Sequence, residues 1–305
     1  MRVISFLVIS IVLGITSTVH GLCSSDNLRC QMSRAPKWTI TSLSQHVSYH
    51  DGPNCFNAAL VAAGFSDDIV YVDSLEYAFY LESFCSEQVK APFATGNLLV
   101  YLGVEPHPFA DQNEIKIQHA AFSLGGGKLI EKTSNRGRLF GKKEGRELPG
   151  VYQVKNLSQS AFATRTSGTK LVKAYKCQSP EQVRKKIASL NEDPLAQQLS
   201  SLRQKFSDQI QTMEPAYIQG LNEELKAITQ AILSREGTTE GDLFVAALSR
   251  SLFGTIESAL EERKEDFDQD LVDSINDFST ASSELIDKIN TKTSFTKSKP
   301  LLLKY

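Results

Sequence analysis

The spacing of hydrophobic positions changes twice along the chain. Between residues 55 and 85 the apolar residues fall into two short runs, "CFNAALVAAG" (55–64) and "SLEYAFYLESFC" (74–85). Both read as helices. Gly64 is the stop of the first, and Ser74 is the expected N-cap of the second. The pattern then becomes that of strands: "NLLVYLGV" (97–104), "EIKIQHAAFSL" (114–124) and "KLIEKTS" (128–134). Gly125, Gly126 and Gly127 separate the last two, a hairpin signal. "GVYQVKNL" (150–157) and "TKLVKAYKC" (169–177) add two more strand candidates, and the Gly- and charge-rich stretch at 134–150 reads as a loop.

From Ser179 the period is helical. Ser179-Pro180-Glu181 has a cap residue and a proline in the first turn. Leu195, Leu199, Leu202, Phe206, Ile210 and Met213 recur at steps of three and four, and Leu221, Leu225, Ile228 and Ile232 repeat this after Pro215. Leu248, Leu252, Ile256 and Leu260 form a third run, followed by Leu271, Ile275 and Phe278. Charged residues fill the remaining positions and read as solvated faces. The expectation is an antiparallel helical bundle or coiled-coil hairpin over 179–290, with a flexible tail at 291–305. The fold class is therefore α+β: a helix carrying Cys55 and an antiparallel sheet over 22–178, then helices.

The N-terminus sets the compartment. Arg2 is followed by "VISFLVISIVLGI" and then by small and polar residues, with Val19 and Gly21 before the expected cleavage point. Residues 1–21 are thus read as a signal peptide, because the apolar run is shorter than the roughly 20 residues of a membrane-spanning helix. The expected protein is exported, periplasmic or secreted, with no transmembrane segment after cleavage. Export permits disulfides, and the chain has five cysteines, an odd number. Cys23 and Cys30 are near enough to close a small loop, and Cys85 with Cys177 is the second candidate pair. Cys55 is left as the free thiol. No cysteine or histidine spacing fits a metal site, and no cofactor is expected. A net charge of -2 gives no basic field for nucleic acid. Residues 179–305 hold 15 Lys+Arg against 21 Asp+Glu, which marks them as a compositionally separate region.

The chemistry-bearing residues follow from this frame. In "DGPNCFNAAL" (51–60) Cys55 stands at the start of a helix, where unpaired N–H groups and the dipole favour a thiolate. A base must stand near it, and a third polar group must orient that base. His119 is the base candidate, because strand alternation puts Ile115, Ile117, His119 and Ala121 on one face and Ala120 and Ala121 leave room beside the ring. A structural histidine is the competing reading, and His46, His50 and His107 are weaker candidates. A three-residue loop at Gly125–Gly127 would set His119 opposite Thr133 and one diagonal step from Glu131. Glu131 is the orienting candidate and Thr133 the fallback; a two-residue loop would put Lys132 opposite His119.

"GNLLVYLG" followed by "HAAFSLGGGKLIEK" resembles the two central strands of the NlpC-type cell-wall peptidases, a family of the papain-like cysteine peptidase superfamily. The resemblance covers about residues 50–135. It implies a papain-like domain with Cys55 as nucleophile, His119 as base and Glu131 as third member. The sequence departs from the family at Asn97, where Asp is common, at Phe56-Asn57, where Ser-Gly is usual, and at Glu131, where His is more usual. The Cys55 N–H would hold an oxyanion, with Asn54, Asn57 or a neighbour as second donor. Lys132 reads first as a solvated lysine and second as a partner for a substrate carboxylate.

The expected activity is amide hydrolysis by a Cys-His-Glu site, with peptide or peptidoglycan stem peptides as substrate. Two alternatives stay open: an acyltransferase or lipid-acting enzyme on the same fold, and a non-catalytic exported interaction protein in which Cys55 is structural. The C-terminal helices would offer a surface to a protein partner.

Overall fold

The computed structural model describes residues 54–68, 70–88, 93–106, 113–132, 152–160, 169–209, 215–262 and 267–292. Residues 1–21, Cys23, Cys30, His46, His50, His107 and Thr133 lie outside the described residues, as do 293–305 of the expected tail. Helices α1 (Cys55–Ala62) and α2 (Ser74–Phe84) come first. Six strands follow: β1 (Cys85–Gln88), β2 (Leu98–Pro106), β3 (Asn113–Gly125), β4 (Lys128–Lys132), β5 (Tyr152–Asn156) and β6 (Thr169–Cys177). Five further helices complete the order: α3 (Pro180–Leu190), α4 (Pro194–Gln209), α5 (Pro215–Leu233), α6 (Glu240–Glu262) and α7 (Gln269–Lys292). The strands form one antiparallel sheet in the order β1-β6-β2-β3-β4-β5. The chain is therefore α+β, with a helical C-terminal region.

Local chemistry explains most of the boundaries. Gly64 ends α1 with φ 76°. Its N–H donates to Val61 O and the Phe65 N–H to Leu60 O, both at 2.9 Å, a pair that satisfies two carbonyls of the last turn. The cap of α2 is Asp73 rather than the expected Ser74. The Asp73 carboxylate accepts the Leu75 N–H at 2.8 Å, and its negative charge suits the N-terminal dipole. Cys85 ends the helical pattern by starting β1, a strand absent from the sequence expectation because its four residues, CSEQ, carry no alternation. Ser179 caps α3 in a reciprocal box with Gln182. Helix α7 runs to Lys292, so the first residues of the expected tail are helical.

The glycine hairpin combines both loop lengths considered from sequence. Gly125 pairs with Lys128, a two-residue turn, yet Ser123 pairs with Leu129 and Phe122 with Ile130. An irregularity between Ser123 and Gly125 absorbs one residue. Beyond it the register is that of the three-residue loop, which makes His119 and Glu131 diagonal neighbours on one face. A second bulge lies between Tyr101↔His119 and Leu102↔Ile117. It overturns the simple alternation: Ile117 joins the main core, whereas Tyr101, the partner of His119, belongs to a smaller cluster with Leu99, Ala121, Leu129 and Ala174.

The main core ignores the division at residue 178. One apolar cluster holds Phe56, Leu60, Tyr77, Phe79 and Val100 together with Leu199, Phe206, Phe244, Leu252, Phe278 and Leu285. Helix α6 is its hub, packing on α2, α4 and α7. A polar knot lies inside this contact: Arg203 of α4 and Ser251 of α6 each meet Glu76 Oε2 of α2 at 2.5 Å. All three residues are buried, so the pair is fully desolvated. Cys85 and Cys177, directly paired across β1 and β6, form a disulfide. Among the described residues no helix is long and apolar enough to cross a membrane.

Candidate active site

Cys55 is the first residue of α1, and Asn54 is the N-cap. Asn54 Oδ1 accepts the Asn57 N–H at 3.1 Å, while Asn54 O takes the Ala58 N–H. The Cys55 and Phe56 N–H groups remain as first-turn donors without an acceptor in the helix. Asn54 Nδ2 donates to Val72 O at 2.5 Å, and Asn57 Nδ2 donates to Asp68 O at 2.9 Å. Both candidate amide donors thus have structural acceptors, and both residues are buried. Phe56 stacks its ring on Tyr77 at 5.1 Å. Asn97 also has a double task that an aspartate cannot perform: its Oδ1 accepts the Ala94 N–H and its Nδ2 donates to Tyr175 O. Among the described cysteines, Cys55 is the free one.

The sheet supplies the candidate base and its partner. His119 Nε2 lies 2.9 Å from Glu131 Oε2, with both side chains buried to 1% and 0% exposure. Glu131 in turn accepts the Ser160 hydroxyl at 2.7 Å and pairs with Lys155 Nζ at 3.1 Å. The ring of Tyr101 packs 5.2 Å from the imidazole and limits its rotation. Helix α1 packs on β3 and β4, the two strands that carry these groups.

The electrostatics fit an ion-paired site. Burial alone would lower the pKa of His119. The charge of Cys55, a hydrogen bond to it and the Glu131 carboxylate outweigh burial and push the ring up to about 9. For Glu131 burial works upward, but the hydrogen bond and charge of His119, with Ser160 and Lys155, pull it down to about 2. With Glu131 ionised, Nε2 is held as the protonated nitrogen, which leaves Nδ1 for exchange with the thiol. Lys132 is not the solvated lysine of the sequence reading. It is 1% exposed. Burial lowers its pKa to about 8, against the charge of Cys55, which favours the cation.

Sequence reasoning missed several contributors. Ser160 and Lys155 come from β5 and the turn after it, too far along the chain for a local signal. Tyr77 is a buried phenol and Tyr71 a half-buried one, and the ionisation of both is opposed first by burial and then by nearby charge, Cys55 included. Nothing in a one-dimensional pattern separates them from core aromatics. Compared with known proteins, the chain matches no protein-family model, no curated protein and no solved structure.

Proposed function

We propose that the protein is an exported cysteine hydrolase that cleaves amide bonds, with peptidoglycan stem peptides as its substrates. The observation that carries this reading is the buried His119–Glu131 pair at 2.9 Å, whose imidazole is raised by a cysteine at a helix start. The Cys55 thiolate attacks the carbonyl carbon, and the oxyanion faces the first-turn N–H groups of α1. As the C–N bond breaks, the His119 imidazolium gives its proton to the leaving amine and an acyl thioester remains. Water then attacks the thioester, His119 takes its proton, and the acid and thiol are released. Glu131 keeps the ring in one tautomer and orientation throughout.

Substrate class and compartment rest on the resemblance of residues 50–135 and on the N-terminal pattern. The test is release of new amino groups from purified cell wall by wild type and by Cys55→Ala. Loss of release in the variant is expected, and full activity in Cys55→Ala would refute the mechanism. If wild type instead passes an acyl group from Cys55 to an added amine or lipid without hydrolysis, the enzyme is an acyltransferase.

A further inference from the structure

The three residues before α2 are gripped from two sides. Tyr71 lies on α6 at Gly254: a β-carbon there would meet Tyr71 Cε1 at 2.5 Å, so only glycine leaves room for the ring. Val72 gives its carbonyl to Asn54 Nδ2 at 2.5 Å, and Asn54 is the cap of the helix that begins with Cys55. Asp73 gives its N–H to Ser251 Oγ at 2.7 Å, one turn before Gly254 on the same helix. The Ser251 hydroxyl is itself fixed by donating to Glu76 Oε2, which also holds Arg203. Charges from both sides, Cys55 on one and Arg250 and Glu257 of α6 on the other, act on the Tyr71 phenol.

We propose that Tyr71–Asp73 is a strap through which the helical region sets the position of the nucleophile, with Gly254 and Ser251 as positioning residues. The proposal builds on the site read above as a cysteine hydrolase and assigns the helices a part in it. They are not an appended tether. α6 is the surface against which the cap of Cys55 is aligned.

The test uses the full chain and follows alkylation of Cys55 by iodoacetamide from pH 5 to 10, beside hydrolysis. Alanine at position 254 raises the intrinsic helix propensity of α6, so a loss cannot come from a weaker helix. The substitution must move the Tyr71 ring by roughly 1 Å, and a shift of that size passed on to the reacting thiol costs up to about a hundredfold in kcat. Gly254→Ala is expected to slow alkylation and kcat by at least about tenfold, with little change in KM and a shifted pH profile. Ser251→Ala, which removes the acceptor of the Asp73 N–H together with one of the donors to Glu76, is the second variant should Gly254→Ala not fold. Gly254→Ala/Tyr71→Ala, which removes the clash, should restore the alkylation rate. Leu285→Ala, a buried change in α7 away from the strap, should lower the melting temperature without changing the profile.

Equal alkylation of Gly254→Ala and wild type overturns the strap. So does a loss shared with Leu285→Ala in proportion to stability, or a failure of the double variant to recover. Alkylation needs no substrate. A strap-dependent thiol in a protein that leaves cell wall intact would sink the peptidase reading and keep the strap.

Discussion

Glu131→Gln isolates the electrostatic core of the site. It keeps the shape of the side chain and removes its charge. The rise of His119 from 6.5 to about 9 corresponds to roughly 3 kcal/mol in favour of the protonated ring, at about 1.4 kcal/mol per pH unit. Burial opposes that rise, and the charge of Cys55 is the larger favourable contribution, so Glu131 accounts for only part of it. A hydrogen bond to a charged group contributes about 1.5–3 kcal/mol, so the ring should fall by about one to two pH units in the variant. The assay is an NMR titration of the His119 Cε1 proton, assigned by comparison with His119→Gln. If the protein hydrolyses amides as proposed, the same change should move the high-pH limb of that activity, where the general acid is lost, to lower pH. A wild-type ring that titrates near 6.5, or one that titrates at the same pH in Glu131→Gln, would refute the reasoning.

Stability should follow the same pair. The folded pKa of His119 lies above its unfolded value, so its contribution is complete below 6.5 and is lost as pH rises through about 9. That of Glu131 lies below its unfolded value, so its contribution is complete above 4.5 and is lost as pH falls through about 2. Denaturant midpoints should therefore be highest between these limits in wild type and flatter with pH in Glu131→Gln. Arg203→Met leaves Glu76 buried and unpaired, which should cost about 3–5 kcal/mol by urea unfolding, while Glu76→Leu/Arg203→Met should recover most of it. Cys85→Ser/Cys177→Ser opens a loop spanning 92 residues and should lower stability by about 4–5 kcal/mol on the loop-entropy estimate, read from the same unfolding curves.

The elements with a strong local signal were legible. The period of three and four located Leu199, Leu225, Leu252 and Phe278 in the core, because an amphipathic helix has one way to bury its stripe. The diagonal pair His119–Glu131 followed from a three-residue count across glycines, and the bulge beside Leu124 happened to preserve that register. Where local preference was weak, tertiary contacts decided. Asp73 displaced Ser74 as cap, CSEQ became a strand because β6 lay beside it, and Lys132 was buried because α1 covers β4. The partners of Glu131 and the strap at Tyr71 depend on residues far along the chain, as in Ser160 with Glu131, 29 positions apart, and Asp73 with Ser251, 178 apart. Sequence periodicity carries no information over such distances.

The strand order has a consequence for how the chain reaches this state. β1 and β2 are neighbours in sequence, yet β6 lies between them. Until residues 169–177 arrive, β2 presents an open edge to any strand that will pair with it. Over the same interval Cys85 has no Cys177 to meet, and the nearest described thiol along the chain is Cys55. The last strand of the sheet thus does two things by docking: it closes the edge of β2 and takes Cys85 into a disulfide, which leaves Cys55 as the free cysteine among those described.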